Sequence, residues 1–126
     1  MKVFVYFNLH KKCFSVKALT GENKGKVVQH TDNVVLLLPE FKVSEAGRQR
    51  VLREKRKNVH AGVVGWIDVF DCPMNKDYYT QVKYNPYKYY SFVTNDEKPV
   101  YNGMVAHLTV TNKVPKIEAY LQGEEA

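Results

Sequence analysis

The chain has 126 residues, which is enough for one compact domain with a single core but too few for two. Its hydrophobic content of 44% and charged content of 25% are typical of a globular protein and exclude a disordered chain. No apolar run reaches the roughly 18 to 20 residues that span a bilayer, and the N-terminus lacks the layout of a secretory signal. We therefore expect no membrane association and a location in the cytoplasm.

The net charge of +6 is unevenly distributed along the sequence. Residues 1–60 contain 13 Lys and Arg against 5 Asp and Glu, whereas residues 61–126 contain 6 against 8. A one-sided basic field attracts nucleic acid, acidic protein surfaces or anionic lipid headgroups. The first half of the chain is therefore predicted to form a cationic surface.

The first forty residues alternate short apolar segments with turns. Residues 2–8 (KVFVYFN) and 13–19 (CFSVKAL) are rich in β-branched and aromatic side chains and are separated by four residues, which predicts a β-hairpin. A turn with two glycines (TGENKG) precedes two more short strands at 26–30 and 33–38. These four segments predict an antiparallel meander that ends before Pro39.

A single helix is predicted over residues 45–57. Ser44 is a favourable N-cap, and the charge of Glu45 in the first turn suits the helix dipole. The apolar stripe around Val51 is narrow, so the helix is expected to lie on the surface. Its other faces are basic, with one acid, Glu54, among six cations: Arg48, Arg50, Arg53, Lys55, Arg56 and Lys57.

The second half of the chain predicts further strands. Residues 66–70 (WIDVF) alternate in the manner of a half-buried strand, and 100–110 and 114–121 read as two more strands. Residues 122–126 are predicted to form a frayed tail. Together these elements predict a single α+β domain over residues 1–121, mostly antiparallel sheet with one main basic surface helix.

The basic helix is the strongest candidate for a binding site. Arginine guanidinium groups match phosphate oxygens, and a row of cations at helical spacing can follow a nucleic-acid backbone while releasing counterions. The alternative is a solvated helix held by acids of the same chain, but Glu54 alone cannot neutralise the group. The predicted anion-binding residues are Lys11, Lys12, Lys24, Lys26, Arg48, Arg50, Arg53, Arg56 and Lys57.

Tyrosines cluster between residues 78 and 90. Lys83 and Lys88 lie among them, and this mixture is typical of single-strand-binding surfaces, where exposed rings stack on bases. Tyr is also common in strands and at interfaces, so a core, a subunit interface or a contact with a host or phage protein explains the same pattern. The stacking or interface tyrosines are Tyr84, Tyr87, Tyr89 and Tyr90.

The histidines suggest a catalytic alternative. A metal-independent nuclease or phosphodiesterase needs a general acid, a general base and a cation for the developing charge. His10 and His60, with Lys11 and Arg53, would supply these groups if the first hairpin lay beside the end of the helix. A structural or solvent-exposed role explains the same histidines.

No metal or cofactor motif occurs in the sequence, so no cofactor is predicted. Zinc-ligand spacings and nucleotide-binding glycine loops are both absent. Asp68, Asp71 and Asp77 could hold a divalent ion in a nuclease, but Asp in loops more often stabilises turns. Cys13 and Cys72 are expected to be reduced thiols in or near the core.

Three segments, VYFNLHKK, SVKALTGENKG and FKVSEAGRQRVLREKRKNVHAGVVG, resemble small proteins encoded by tailed bacteriophages, over about the first half of the chain. The resemblance implies an accessory protein that acts in the infected bacterial cytoplasm, on nucleic acid or on a host defence factor, and it implies no catalytic residues. The leading hypothesis is therefore a phage-type accessory protein that binds nucleic acid through the phosphate backbone.

Two alternatives to this hypothesis remain open. One is the phosphoryl-handling enzyme that uses His10 and His60. The other is a protein-interaction module, either a host-factor inhibitor or a virion component, that uses the Tyr-rich half and is compatible with an oligomer.

Overall fold

The computed structural model describes residues 1–55, 59–67 and 76–121. In these ranges the chain forms one antiparallel sheet with a single α-helix, α1 (Glu45–Glu54), and one turn of 3-10 helix at Lys76–Tyr78. The strands are β1 (Lys2–Asn8), β2 (Cys13–Ala18), β3 (Val27–Thr31), β4 (Asn33–Val43), β5 (Ala61–Ile67), β6 (Thr80–Lys83), β7 (Phe92–Thr94), β8 (Pro99–Val100), β9 (Val105–Thr111) and β10 (Val114–Tyr120).

Over the described ranges the sheet has ten strands, in the order β3-β2-β1-β5-β4-β9-β10-β6-β7-β8. The central strand β4 bulges at Leu38, which has a φ of 50°, and its register with β5 shifts there. Before the bulge β4 pairs with β9. Beyond it, Glu40 bridges to Asn102 and the Phe41 N–H donates to the Tyr101 carbonyl at 2.8 Å. The bulge therefore lets the second half of the sheet fold back onto β4.

One hydrophobic cluster joins both halves of the folded sheet. In the β1–β2 ladder Val3 pairs with Ala18 and Val5 with Val16, and all four side chains are fully buried. Alternation along the strands sends these residues to one face, which we call the inner face. The largest inner side chains include Phe14, Leu36, Val63 and Leu108.

The predicted α+β class is wrong, because the protein is essentially all-β. Helix α1 buries only Arg48 and Val51, so it has too little apolar surface to form a second layer against the sheet. Among the described residues, the buried members of the hydrophobic cluster all lie in strands. Within the described ranges no helix has the length and apolar character needed to cross a membrane.

The predicted start of the helix is confirmed, and its end comes earlier than predicted. The Gly47 N–H donates to the Ser44 hydroxyl at 3.2 Å, as expected of an N-cap. The last helical residue is Glu54, because Lys55 adopts a left-handed conformation and its N–H donates to the Val51 carbonyl. The predicted helical residues Arg56 and Lys57, and the predicted tail over 122–126, lie outside the described residues.

Candidate nucleic-acid interface

Helix α1 and its C-cap residue Lys55 present three cations to solvent. Arg50, Arg53 and Lys55 are exposed, and within residues 1–55, 59–67 and 76–121 none of them forms an ion pair. The described ion pairs use Lys42, Arg48 and Lys116 instead. The positive charge of Arg50, Arg53 and Lys55 is therefore available to an external anion.

Arg48 is placed differently from these three cations. It is only 6% exposed, its Nε donates to the Pro86 carbonyl at 2.9 Å, and its Nη1 donates to Glu45 Oε2 at 3.0 Å. The guanidinium carbon also lies 4.3 Å from the centre of the Tyr90 ring. Arg48 thus fastens α1 to residues 84–90, which we call the tyrosine turn. A contact between Arg48 and an external anion stays a prediction.

Gly47 allows α1 to lie directly against the start of β5. A Cβ at this position would lie 2.6 Å from the His60 Cβ, which is too close for any side chain. The Ser44 N–H donates to the His60 carbonyl at 2.7 Å, so the helix N-terminus is tied to the same residue. The close approach of Gly47 and Ser44 therefore fixes His60 beside the helix.

An apolar cavity of about 630 Å³ opens next to His60. Its lining includes Leu9, Val51, Val63 and Phe92, from the first hairpin, α1, β5 and β7. His60 Nε2 lies 2.8 Å from the Tyr84 hydroxyl oxygen, and their rings meet edge to face with centres 5.5 Å apart. The pair is a polar feature on a largely apolar wall.

Burial raises the pKa of Tyr84 to about 12 from its ordinary value of 10, while the nearby charge of Arg48 opposes the shift. Because the folded state holds the phenol proton more tightly, the stability that depends on neutral Tyr84 is complete below pH 10 and is lost as pH rises from 10 to 12.

We expect urea unfolding of the wild type to show this loss and Tyr84→Phe to lack it. The exposed Tyr87→Phe variant should behave as wild type, and parallel pH profiles for wild type and Tyr84→Phe would contradict the assignment.

The groups proposed for a nuclease do not all line the cavity. His10 is exposed in the β1–β2 turn, where its backbone N–H donates to Asn8 Oδ1 at 2.9 Å. The cavity lining includes His60 and the neighbouring Leu9, but neither His10 nor Arg53. The enzyme hypothesis stays a prediction, with one of its two proposed histidines, His60, at the cavity.

Among the described residues, no group of His, Cys, Asp or Glu has an arrangement that could hold a metal ion. Asp68, Asp71 and Cys72 lie outside the described residues. Asp77 lies in the 3-10 helix at Lys76–Tyr78, and Cys13 is a half-buried free thiol in β2.

The predicted tyrosine cluster splits into exposed and half-buried rings. Tyr87 and Tyr90 are 64% and 73% exposed, and Tyr90 covers the Arg48 guanidinium. Tyr84 and Tyr89 are half-buried, and the ring of Tyr84 lies 5.2 Å from that of Phe92. Stacking on bases and binding of a protein both stay predictions for this turn.

The predicted lysines occupy both ends of the sheet. Lys11 and Lys12 are exposed in the β1–β2 turn, at the end of the sheet where β5 begins. Lys24 and Lys26 are exposed in the β2–β3 turn, at the opposite end, where the Ala18 N–H donates to the Lys26 carbonyl. These four lysines therefore form two clusters separated by the length of β1.

A surface that sequence reasoning missed lies between these two clusters. Phe4 and Tyr6 on β1 and Trp66 on β5 project from the face opposite Val3 and Val5, and we call these three side chains the aromatic face. The signal was present in KVFVYFN, because a half-buried strand normally carries polar side chains on its outer face. Aromatic residues at alternate positions on both faces indicate a second surface with its own role.

A family model described as Mycobacterium phage L5 gene 82 protein matches residues 1–116. The chain belongs to this family. The gene 82 protein of Mycobacterium phage L5 is 39% identical over 107 residues, which cover 79% of this chain and 82% of the relative. No solved structure gives a significant match. The predicted resemblance to phage proteins is confirmed, and the gene 82 family match extends beyond the first half of the chain.

The gene 82 family match spans all the surfaces described above. Residues 1–116 include the aromatic face, α1, the cavity wall at His60 and the tyrosine turn. The segment that matches the phage family therefore also contains the exposed cations Arg50, Arg53 and Lys55.

Proposed function

We propose that the chain is a phage accessory protein that binds nucleic acid mainly through backbone phosphates. The observation that carries this proposal is the set of exposed cations on α1 and its C-cap, Arg50, Arg53 and Lys55, which lack ion-pair partners within the described residues. Unpaired surface cations bind a polyanion with release of its counterions, and this release favours association at low salt.

The lysines at the two ends of the sheet extend the same cationic field. Lys11 and Lys12 lie at the end of the sheet where β5 begins, and Lys24 and Lys26 lie at the other end. Contacts from side chains to phosphate position a protein on nucleic acid without reading its sequence. Binding should therefore be weakly sequence-specific. Arg56 and Lys57 are proposed to contribute by their position in the sequence alone.

Membership of a phage family supports a role during infection. A protein with a net charge of +6 encounters abundant nucleic acid in the cytoplasm of an infected bacterium. We place the proposed activity there.

Neutralising two α1 cations is expected to weaken nucleic-acid binding about tenfold at low salt. Fluorescence anisotropy with labelled single-stranded and duplex DNA and RNA, over a salt series, measures the affinity of wild type and of Arg50→Gln/Arg53→Gln. The negative slope of log K against log salt should also become shallower, by about 0.7 to 0.9 for each phosphate that the variant no longer neutralises.

The matched control removes the same net charge from another part of the surface. Lys98 and Lys113 are exposed and lie in turns away from α1, so Lys98→Gln/Lys113→Gln should bind as wild type does. Equal weakening of binding by both double variants would mean that net charge, and not the position of the α1 cations, determines the affinity. Absence of binding by wild type at low salt would refute the proposed function.

A further inference from the structure

The aromatic face is an accessible group of rings on adjacent strands. Trp66 is 44% exposed, Phe4 and Tyr6 are half-buried, and the centres of the Phe4 and Tyr6 rings are 5.8 Å apart. The ladder between β1 and β5 pairs Lys2 with Trp66, which places the indole beside the start of β1. Large aromatic side chains on the outer face of a sheet leave apolar area in water that a ligand could cover.

Cations surround these rings. Lys2 Nζ lies 5.8 Å from the centre of the Trp66 ring, and Lys17 pairs with Phe4 in the β1–β2 ladder. Lys42 projects from the same face of β4 and pairs with Glu40 at 3.2 Å. A ligand for this face should therefore combine flat apolar groups with negative charge.

We propose that the aromatic face binds single-stranded nucleic acid by stacking unpaired bases on Phe4, Tyr6 and Trp66, with phosphates beside Lys2 and Lys17. This inference rests on the proposed function and specifies its ligand. Bases have a π-face that stacks on aromatic side chains, and the phosphates between them match the flanking lysines. In a duplex the faces of the bases are already stacked on one another, so rings on a sheet cannot reach them.

The positions of the other lysines fit a strand that runs along β1. The aromatic face lies between the Lys11–Lys12 cluster and the Lys24–Lys26 cluster, which are roughly 20 Å apart given the rise of a seven-residue strand. A chain of several nucleotides would cover this distance. A second copy of the protein fits less well, because a two-fold interface here would bring Lys2 and Lys17 close to lysines of the other copy.

Trp66 is the only tryptophan in the chain, so its fluorescence reports directly on this face. The titrants are a twelve-nucleotide oligothymidylate, an abasic phosphodiester of the same length and charge, and a duplex of twelve base pairs. We expect oligothymidylate to quench the emission of Trp66 and the abasic chain to leave it unchanged. Phe4→Leu/Tyr6→Leu should bind oligothymidylate about tenfold more weakly.

The control variant Tyr101→Leu removes an exposed tyrosine that is not part of the aromatic face or of the tyrosine turn, and it should leave binding unchanged. Circular dichroism melting confirms that each variant is folded. If Phe4→Leu/Tyr6→Leu does not fold, the contrast between oligothymidylate and the abasic chain in the wild type decides the matter.

The outcomes separate this inference from the proposed function. Binding of oligothymidylate without quenching of Trp66, and with wild-type affinity in Phe4→Leu/Tyr6→Leu, would overturn the stacking inference and leave phosphate binding intact. Equal affinity for oligothymidylate and the abasic chain would do the same. Failure of all three titrants to bind would overturn both. A dimer that buries Trp66, detected by sedimentation, would assign the face to a second copy and overturn the inference.

Discussion

Replacing Gly62 by alanine is expected to lower the free energy of unfolding by about 2 to 3 kcal/mol. A Cβ at this position would lie 2.6 Å from atoms of the Phe4 ring and 2.6 Å from the Val5 carbonyl oxygen. The ring could turn aside, but the carbonyl belongs to the backbone of β1, so the two strands would have to separate. A Gly-to-Ala change at an unstrained position stabilises a protein by roughly 0.4 to 1 kcal/mol through the unfolded state, and the clash outweighs this gain.

Urea unfolding followed by circular dichroism measures the effect of Gly62→Ala. Gly103→Ala is the control, because an added Cβ there would lie 3.1 Å from both the Leu121 side chain and the Tyr120 carbonyl oxygen, which is milder crowding than the 2.6 Å at Gly62. Phe4→Ala/Gly62→Ala tests the cause, since it removes the ring and leaves only the contact with the Val5 carbonyl. Wild-type stability for Gly62→Ala would show that β1 and β5 are not held at this close spacing. The same contact supports Phe4 within the aromatic face.

The strands of the first hairpin were predictable because their signal is local. The alternation in KVFVYFN and CFSVKAL predicted β1 and β2 almost residue for residue. Because proline is normally excluded from central strands, the sequence predicted that β4 ends before Pro39. That prediction is wrong, since β4 continues through Pro39 to Val43. The bulge at Leu38 removes Pro39 from the ladder with β9, and the Pro39 carbonyl instead accepts from the Gly103 N–H.

The contacts of the candidate site depend on residues far apart in sequence. Arg48 and Pro86 are separated by 38 residues, and His60 and Tyr84 by 24. Nothing in the spacing of the helix cations distinguishes Arg48 from the exposed Arg50, because the difference arises from the tyrosine turn that folds against one side of α1. Helix periodicity could identify a cationic face, but it could not show that Arg48 forms contacts within the protein while Arg50 stays exposed.

Arg48→Ala is expected to lower the free energy of unfolding by about 2 to 3 kcal/mol. The substitution leaves the Pro86 carbonyl without its donor and uncovers the Tyr90 ring. Glu45 is exposed and regains water, which keeps the loss below the roughly 3 to 5 kcal/mol of a broken buried ion pair. Urea unfolding of the variant and the wild type gives the measurement.

Two further variants separate the internal role of Arg48 from its charge. Arg50→Ala removes an exposed cation two residues away and should change stability by less than about 0.5 kcal/mol. Arg48→Lys keeps the charge but lacks the planar fork that reaches both Pro86 and Glu45, so it should recover less than half of the loss. Full recovery by lysine would mean that charge alone matters at this position. Equal stability of the Arg48→Ala and Arg50→Ala variants would mean that α1 is not fastened to the tyrosine turn, and Arg48 would then rejoin the cations available to nucleic acid.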